Sequence, residues 1–284
     1  MLPAGPQGAA LAQPAGWGAR LGRGFLPWSP RRGPGDDGVR PRPGLGALAD
    51  RLEAGRPAGR VNPLVLRTHC CVYLAQWASR HRLTAWACKH NGALKAGQLW
   101  RLVTPTLVHA NLAHLGASCL ALLTLGGLAE DLVGPERYAL TYALSGAAGN
   151  VASYLFNPLP AVGSSGAIFG LAGALAVFAA RHHWMDEAPG ARAQLLSIAG
   201  LNLAYGVYHP NIDNFGHAGG LVAGAAFAYV FGPNLERRGE GPGGVLLADA
   251  PPVKSFAFKR PVRLHPRRGA AGRKGPTRRP RACP

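Results

Sequence analysis

Acidic residues are scarce in this 284-residue sequence, which has 13 Asp and Glu against 31 Lys and Arg. The formal net charge is therefore +18 at pH 7, although only 15% of the residues are charged and 48% are hydrophobic. Arginine is concentrated near the two ends, whereas residues 103–232 carry almost no charge outside short loops. An apolar centre between basic ends is the layout of a membrane protein.

The sequence also lacks a cysteine framework. It has five cysteines, an odd number, and none of them forms a C-x-x-C pair. They are Cys70, Cys71, Cys88, Cys119 and Cys283. This pattern supports neither a disulfide scaffold nor a zinc site, so the cysteines are interpreted as packing residues and no metal is predicted.

The two ends of the chain lack the patterns of folded domains. Residues 1–60 contain no lysine and a single serine, Ser29. An Arg-rich, acid-poor leader is typical of an organelle transit peptide, although such peptides are usually richer in serine. Residues 1–60 are therefore predicted to be a disordered leader, with a transit peptide as one interpretation.

Residues 233–284 are predicted to be a disordered basic tail. Proline and glycine run through "KRPVRLHPRRGAAGRKGPTRRPRA", which contains no aromatic residue and is directly preceded by Phe258. This composition favours attraction to anionic lipid head groups over a folded nucleic-acid-binding module. No nucleic-acid partner is predicted.

Six segments are apolar enough to form membrane-spanning helices of about 20 residues. They cover residues 61–78, 107–128, 138–156, 163–180, 195–208 and 214–231. The first is interrupted by Arg67, His69 and Gln76, which must snorkel or face protein. The predicted fold is an all-α, polytopic membrane bundle over residues 61–232. Six spans put both basic termini on one side, but the basic loop at residues 80–101 falls on the other, so orientation stays open.

Histidines inside the predicted spans indicate function, because ionisable groups are costly in a bilayer. His114 and Ser118 lie one helical turn apart and share a face of the second segment. His109 is rotated by about 140° from His114 and must face elsewhere. His114 and Ser118 are thus candidates for one site.

Small residues recur every four positions on the fourth and sixth segments. They are Gly166, Gly170 and Ala174 on the fourth and Gly216, Gly220 and Gly224 on the sixth. This spacing lets two helix backbones approach closely. Ser165 precedes the first of these glycines and His217 follows Gly216, so the packing would bring the hydroxyl and the imidazole within hydrogen-bond reach.

A serine beside a histidine is an activated nucleophile, because the imidazole takes the hydroxyl proton. Candidate donors to an oxyanion are His114, Ser118 and the Ser165 amide. No Asp or Glu lies within the spans, so the arrangement is predicted to be a dyad. On the residues alone a small transporter and a helix-packing protein stay open, since "GSSG" is also a common turn and a membrane histidine can serve packing or an ion path.

Four motifs resemble, in order and spacing, the signatures of the rhomboid intramembrane serine proteases. They are "LWRLVTPTLVHANLAHL", "GGLAEDLVG", "GSSGAIFGLAGA" and "NIDNFGHAGGLVAG". The sequence around "GSSGAIFG", "NIDNFGHAGG" and "FGPN" is most similar to those of the plastid rhomboid-like proteins of plants and algae. The resemblance implies a chloroplast membrane, the inner envelope, with another organelle membrane as the alternative.

The resemblance assigns Ser165 as nucleophile and His217 as general base, with no cofactor. His114 matches the oxyanion-stabilising histidine, and Ser118 stands where the family usually has Asn. The other matched positions, with motif or structural roles, are Gly163, Gly166, Phe169 (usually Tyr), Gly220, Gly224, Trp100, Arg101, His109 and Glu130.

The implied reaction is hydrolysis of peptide bonds in or near transmembrane segments of single-pass or polytopic membrane proteins. Both dyad residues are present, which favours an active protease. Ser118 in place of Asn keeps open a rhomboid-like pseudoprotease that binds transmembrane helices without cleaving them.

Overall fold

The structure is a computed structural model that describes residues 52–53, 61–183, 212–241, 244–254 and 262–264. These ranges are mostly helical. The α-helices are α1 Val61–Ala78, α2 Arg82–Ala87, α3 Asn91–Lys95, α4 Leu112–Ala121, α5 Gly127–Val133, α6 Pro135–Phe156, α7 Ser165–Arg181 and α8 Asn214–Phe231, and two short 3-10 helices lie at Leu99–Leu102 and Thr104–Leu107. A π-helical turn at Leu122–Gly126 joins α4 to α5.

Five of the six predicted segments fall on described helices, and the fifth, residues 195–208, lies outside the described residues. The second segment begins at Leu112 rather than at residue 107, because the Asn111 side chain caps α4 by accepting from the His114 amide at 2.9 Å. Within the described ranges, Leu112–Val133 is the one helix long and apolar enough to cross a membrane by length and composition. The number of spans stays a prediction.

Polar residues on α1 divide between solvent-facing and protein-facing positions. Arg67 is exposed, whereas His69 and Gln76 are fully buried. The Gln76 amide group pairs with the backbone of His109, donating to its carbonyl at 2.8 Å and accepting from its N–H at 3.0 Å. His69 Nε2 lies 2.7 Å from the Tyr142 hydroxyl. Each of these buried side chains therefore makes at least one hydrogen bond, as most buried polar side chains do.

Glu130 on α5 holds the beginning of α1. Its two carboxylate oxygens accept from the amides of Val61 and Asn62, each at 2.9 Å. The first amides of a helix have no partner within the helix, and a carboxylate also complements the positive end of the helix dipole. Glu130 thus has a structural contact at the first turn of α1.

Helices α6, α7 and α8 pack together most extensively. A Cβ atom on Gly220 would overlap the carbonyl oxygen of Gly166 and lie 2.7 Å from its carbon. A Cβ on Gly224 would meet the Gly170 backbone in the same way. Only glycine at these two positions allows α8 to approach α7 this closely, as the four-residue spacing predicts.

A small antiparallel sheet corrects the all-α prediction. Its strands are β1 Leu52–Glu53, β2 Leu235–Gly241, β3 Gly244–Asp249 and β4 Val262–Leu264, in the order β1-β4-β3-β2. Strand β1 falls in the leader, and the other three fall in the tail, both of which were predicted to be disordered. The apolar "GVLL" segment of the tail pairs with β2, and Leu247 within it is completely buried.

The β2–β3 hairpin is anchored to the helices by apolar burial and by a buried ion pair. Leu235 and Leu247 belong to the same buried cluster as Phe178 of α7. Arg137 of α6 and Asp249 of β3 lie 2.8 Å apart, with their side chains 3% and 0% exposed. Moving the hairpin would separate the two side chains and leave each as an uncompensated buried charge. The ion pair therefore holds the hairpin in one position on the helices.

His182, directly after α7, is expected to make the hairpin sensitive to acid. Its Nε2 accepts from the Leu235 amide at 2.9 Å, so Nδ1 carries the proton and donates to the Phe178 carbonyl at 2.8 Å. Burial lowers the pKa of His182 to about 4, below the value near 6.5 of an unfolded histidine. Between about pH 6.5 and pH 4 the unfolded chain therefore binds more protons than the folded one. The free energy of unfolding falls by about 3 kcal/mol as the pH is lowered through this range.

The measurement is hydrogen exchange of residues 235–249 together with the melting temperature, at pH 7.5 and pH 5. Both should report loosening at pH 5 in the parent protein. His182→Leu should weaken this dependence, whereas the same change at the exposed neighbour His183 should preserve it. Equal pH dependence in His182→Leu and the parent would contradict the prediction.

Candidate active site

Ser165 and His217 form a direct hydrogen bond, with 2.8 Å between Ser165 Oγ and His217 Nε2. Ser165 is the first residue of α7, and His217 lies in the first turn of α8. Asp213 caps α8 through its side chain, which accepts from the Gly216 amide at 3.1 Å. The two helix beginnings and the glycine packing between the helices thus bring the hydroxyl to the imidazole.

The hydrogen bond shows which nitrogen of His217 faces the serine hydroxyl. If the Ser165 hydroxyl donates to Nε2, the neutral ring carries its proton on Nδ1. That Nδ1 is buried and has no hydrogen-bond partner among the residues that the structure describes. Within the described part of the chain, the serine and the histidine thus form a pair with no third side chain hydrogen-bonded to the imidazole.

Phe169 fixes the plane of the His217 ring. The two rings stack with centroids 4.4 Å apart and planes 11° from parallel. Phe169 lies one turn after Ser165 on α7, so the same helix carries the hydroxyl and the surface against which the imidazole packs. An aromatic contact of this kind contributes about 0.5–1.5 kcal/mol beyond burial.

His114 packs against the loop that leads into the serine. Gly163 has φ +122°, a region that favours glycine, and a Cβ there would lie 2.7 Å from His114 Nε2. The Gly163 amide donates to the Pro105 carbonyl at 2.9 Å, which holds the loop in place. Ser118 is buried one turn further along α4. An imidazole next to Gly163, two residues before the serine, is a candidate donor to an oxyanion.

His109 is the middle of three adjacent histidine rings, of which His69 and His109 are fully buried. Its ring lies edge-on to those of His69 and His114, with centroids 5.0 and 5.2 Å away. The prediction that His109 faces away from His114 is therefore wrong, because His109 precedes α4 and the helical rotation does not apply to it. Its Nε2 lies 3.4 Å from Ser164 Oγ, next to the candidate nucleophile. The sequence predicted that His69 must snorkel or face protein, but it gave neither the contact of His69 with His109 nor its partner Tyr142.

Trp100 and Arg101 stabilise the segment between α1 and α4. Arg101 Nη1 donates to the carbonyls of Ala85 and Cys88 at 2.9 and 2.8 Å. The Trp100 ring stacks on Trp86 with centroids 5.8 Å apart. The side chains of Trp100, Arg101 and Glu130 thus make contacts that support the fold. None of these contacts involves Ser165 or His217.

The described residues contain no group of three or more His, Cys, Asp and Glu side chains arranged to hold a metal ion. The side chains that the structure brings together are the Ser165 hydroxyl and the His217 imidazole, with His114 next to the loop before the serine. This arrangement can perform acyl transfer, since it has a nucleophile, a base and donors near the reacting atom.

Comparisons with known proteins give the same family throughout. Residues 96–234 match the family model described as Rhomboid domain. The chain is 39% identical over 150 residues to Rhomboid protease GluP of Bacillus subtilis, covering 53% of this chain and 29% of that protein. It is 31% identical over 153 residues to the YdcA protein of the same bacterium, covering 52% of this chain and 75% of that protein.

A plant protein gives a similar match. The chain is 32% identical over 151 residues to RHOMBOID-like protein 9, chloroplastic, of Arabidopsis thaliana. The alignment covers 52% of this chain and 35% of that protein. The chain thus spans well under half the length of GluP and of this plant protein, although it spans three quarters of YdcA.

Proposed function

The chain belongs to the rhomboid family of integral membrane proteins with a polytopic helical fold, and we propose that it is an intramembrane serine endopeptidase. The observation that carries the proposal is the 2.8 Å contact between Ser165 Oγ and His217 Nε2. A serine hydroxyl becomes a useful nucleophile only when a base is within such reach. The proposal includes six spanning helices, with the fifth in residues 195–208.

In the proposed reaction Ser165 Oγ attacks the carbonyl carbon of the scissile peptide bond. His217 Nε2 takes the serine proton and later delivers it to the leaving amine. The oxyanion of the tetrahedral intermediate accepts hydrogen bonds from the Ser165 amide and from His114, with Ser118 as a further donor. Water then hydrolyses the acyl-enzyme in the reverse sequence of proton transfers.

The proposed substrates are transmembrane segments of other membrane proteins. A helical segment must unwind before its carbonyl can enter the site, because each helical carbonyl is already hydrogen-bonded. Glycine and proline near the cleaved bond lower the cost of unwinding, because both are weak helix formers. The proposed location is a chloroplast membrane, the inner envelope, with another organelle membrane as the alternative. Anionic lipid head groups are proposed partners of the basic tail.

A second candidate is a pseudoprotease that binds transmembrane helices without cleaving them. The observation that favours it is Ser118, whose hydroxyl has a shorter reach than the carboxamide usual at this position. An oxyanion that loses one donor is stabilised less, by about 3–4 kcal/mol in well-studied cases.

The test uses the full chain purified into liposomes with a single-pass transmembrane reporter protein. The endopeptidase should cleave the reporter and should react with a fluorophosphonate probe, with the label located on Ser165 by mass spectrometry. Cross-linking of the reporter with neither cleavage nor labelling would support the pseudoprotease and overturn the endopeptidase.

A further inference from the structure

Lys89 is a fully buried lysine whose ammonium group has three hydrogen bonds. It lies between α2 and α3, and its side chain is 0% exposed. Nζ donates to the carbonyl oxygens of Ser153, Asn157 and Leu159 at 3.3, 2.7 and 2.6 Å. An ammonium group has three N–H donors, so these three bonds use its full capacity.

The three carbonyls lie at the end of α6 and in the residues that follow it. The last carbonyls of a helix have no partner within the helix and form the negative end of its dipole, which a cation stabilises. Asn91 acts on the same helix end, because its Nδ2 donates to the Tyr154 and Asn157 carbonyls, both at 3.2 Å. Two side chains from the segment of residues 89–95, which includes α3, thus hold the end of α6.

The backbone of Lys89 holds the other end of the same loop. Its amide donates to the Ala161 carbonyl at 2.9 Å, and its carbonyl accepts from the Ala161 amide at 3.1 Å. Residues 157–161 are therefore fixed at both ends by one residue. Ala161 is followed two residues later by Gly163, and four residues later by Ser165.

Burying an ammonium group is costly. Burial lowers the pKa of Lys89, while the charge of Asp213 raises it. A methionine or leucine would fill the same space without that cost, but it would leave the three carbonyls without their donors. The cost is consistent with a loop whose position matters to the site.

We infer that Lys89 is a positioning residue for the active-site serine, because it fixes the loop at residues 157–161 that sets the position of Gly163 and Ser165. The inference rests on the proposed function. Lys89 itself contacts no reacting atom, and it acts through the loop backbone. Catalysis is sensitive to such an arrangement, since a displacement of about 1 Å from a distant mutation is enough to slow a reaction severely.

The central variant is Lys89→Met, which keeps the side-chain length and removes the charge. The matched control is Lys95→Met, since Lys95 lies in the same segment and is exposed. Each full-length protein in liposomes is assayed for reporter cleavage, for the rate of fluorophosphonate labelling, and for hydrogen exchange of residues 157–165. Lys89→Arg tests rescue, because it retains a cation with several donors.

Lys89→Met should lower kcat and the labelling rate about tenfold while leaving KM within about twofold, since positioning acts on the transition state. Exchange of residues 157–165 should become faster. Lys89→Arg should recover part of the loss, and Lys95→Met should match the parent in every measurement.

The inference is overturned if Lys89→Met matches Lys95→Met in labelling and exchange, or if only its melting temperature falls. Should Lys89→Met fail to assemble, Lys89→Gln, which keeps two N–H donors, provides the same comparison with Lys95→Gln. If the parent protein neither cleaves nor labels, the proposed function fails. The exchange of residues 157–165 then still decides whether Lys89 holds the loop.

Discussion

Replacing Ser165 with Ala is expected to abolish reporter cleavage, with a fall in kcat of at least about 10⁴-fold. The variant loses the atom that attacks the carbonyl. No acyl-enzyme can then form, and only the much slower direct attack by water remains. Ser165 is only partly buried and its hydroxyl contacts the His217 ring, so removing one oxygen disturbs the packing little. Cleavage rate and melting temperature are measured on the same sample, and only the rate should change.

The neighbouring serine provides the control. Ser164 is buried beside His109, with 3.4 Å between its Oγ and Nε2, and it has the same chemistry as Ser165. Ser164→Ala should keep most of the activity, with a loss below about tenfold. Cleavage that survives Ser165→Ala and disappears in Ser164→Ala would show that the nucleophile has been misassigned.

The base should behave as one unit with the nucleophile. His217→Ala is expected to lower kcat nearly as far as Ser165→Ala, and the double variant should be no slower than either single one, because residues that act together are not additive. Independent, multiplying losses from the two variants would argue against a dyad.

The contact between Ser165 and His217 is the part of the site that the sequence predicts best. The glycines that allow it recur at a spacing of four residues on each helix, and this spacing is visible in a single sequence. Each reacting residue directly adjoins one of these glycines in sequence. The structure has the two atoms 2.8 Å apart. The glycine spacing therefore predicts a contact between residues 52 positions apart, because both helices are long and regular.

Lys89 could not be predicted in the same way. Its carbonyl partners lie 64–70 residues later in the chain, at a helix end and in a loop. Backbone carbonyls are present at every residue and leave no pattern in the sequence. The partner of His69, the Tyr142 hydroxyl, lies 73 residues away and was missed for a related reason. The period of α6 predicts a helix but does not specify which residue its tyrosine contacts.

The β2–β3 hairpin was not predicted, because the prediction for the tail rested on its average composition and not on its short apolar segment "GVLL". Arginine, proline and glycine dominate the last fifty residues, and this average predicts disorder. The segment "GVLLAD" is six residues long and is ordered by contacts outside itself, namely the buried cluster around Phe178 and the ion pair with Arg137. A strand that depends on tertiary contacts gives only a weak local signal.

Adding one methyl group at Gly220 is expected to have a large effect, although Gly220 touches no reacting atom. The new Cβ would overlap the Gly166 carbonyl oxygen and lie 2.9 Å from the Gly166 Cα. Both contacts are with backbone, which cannot turn away as a side chain would, so α7 and α8 must separate. The cost is about 1–3 kcal/mol of stability. Separation also stretches the Ser165–His217 contact, and cleavage should fall at least about a hundredfold.

Gly116 on α4 is the matched control, because a Cβ there meets nothing within 4 Å. Gly116→Ala should raise the melting temperature slightly, since alanine favours a helix over glycine by about 0.5–1 kcal/mol. The two substitutions are chemically identical, so a difference between them isolates the space between α7 and α8. If both variants cleave the reporter at the parent rate, close approach of the two glycine faces cannot be what brings the hydroxyl to the imidazole.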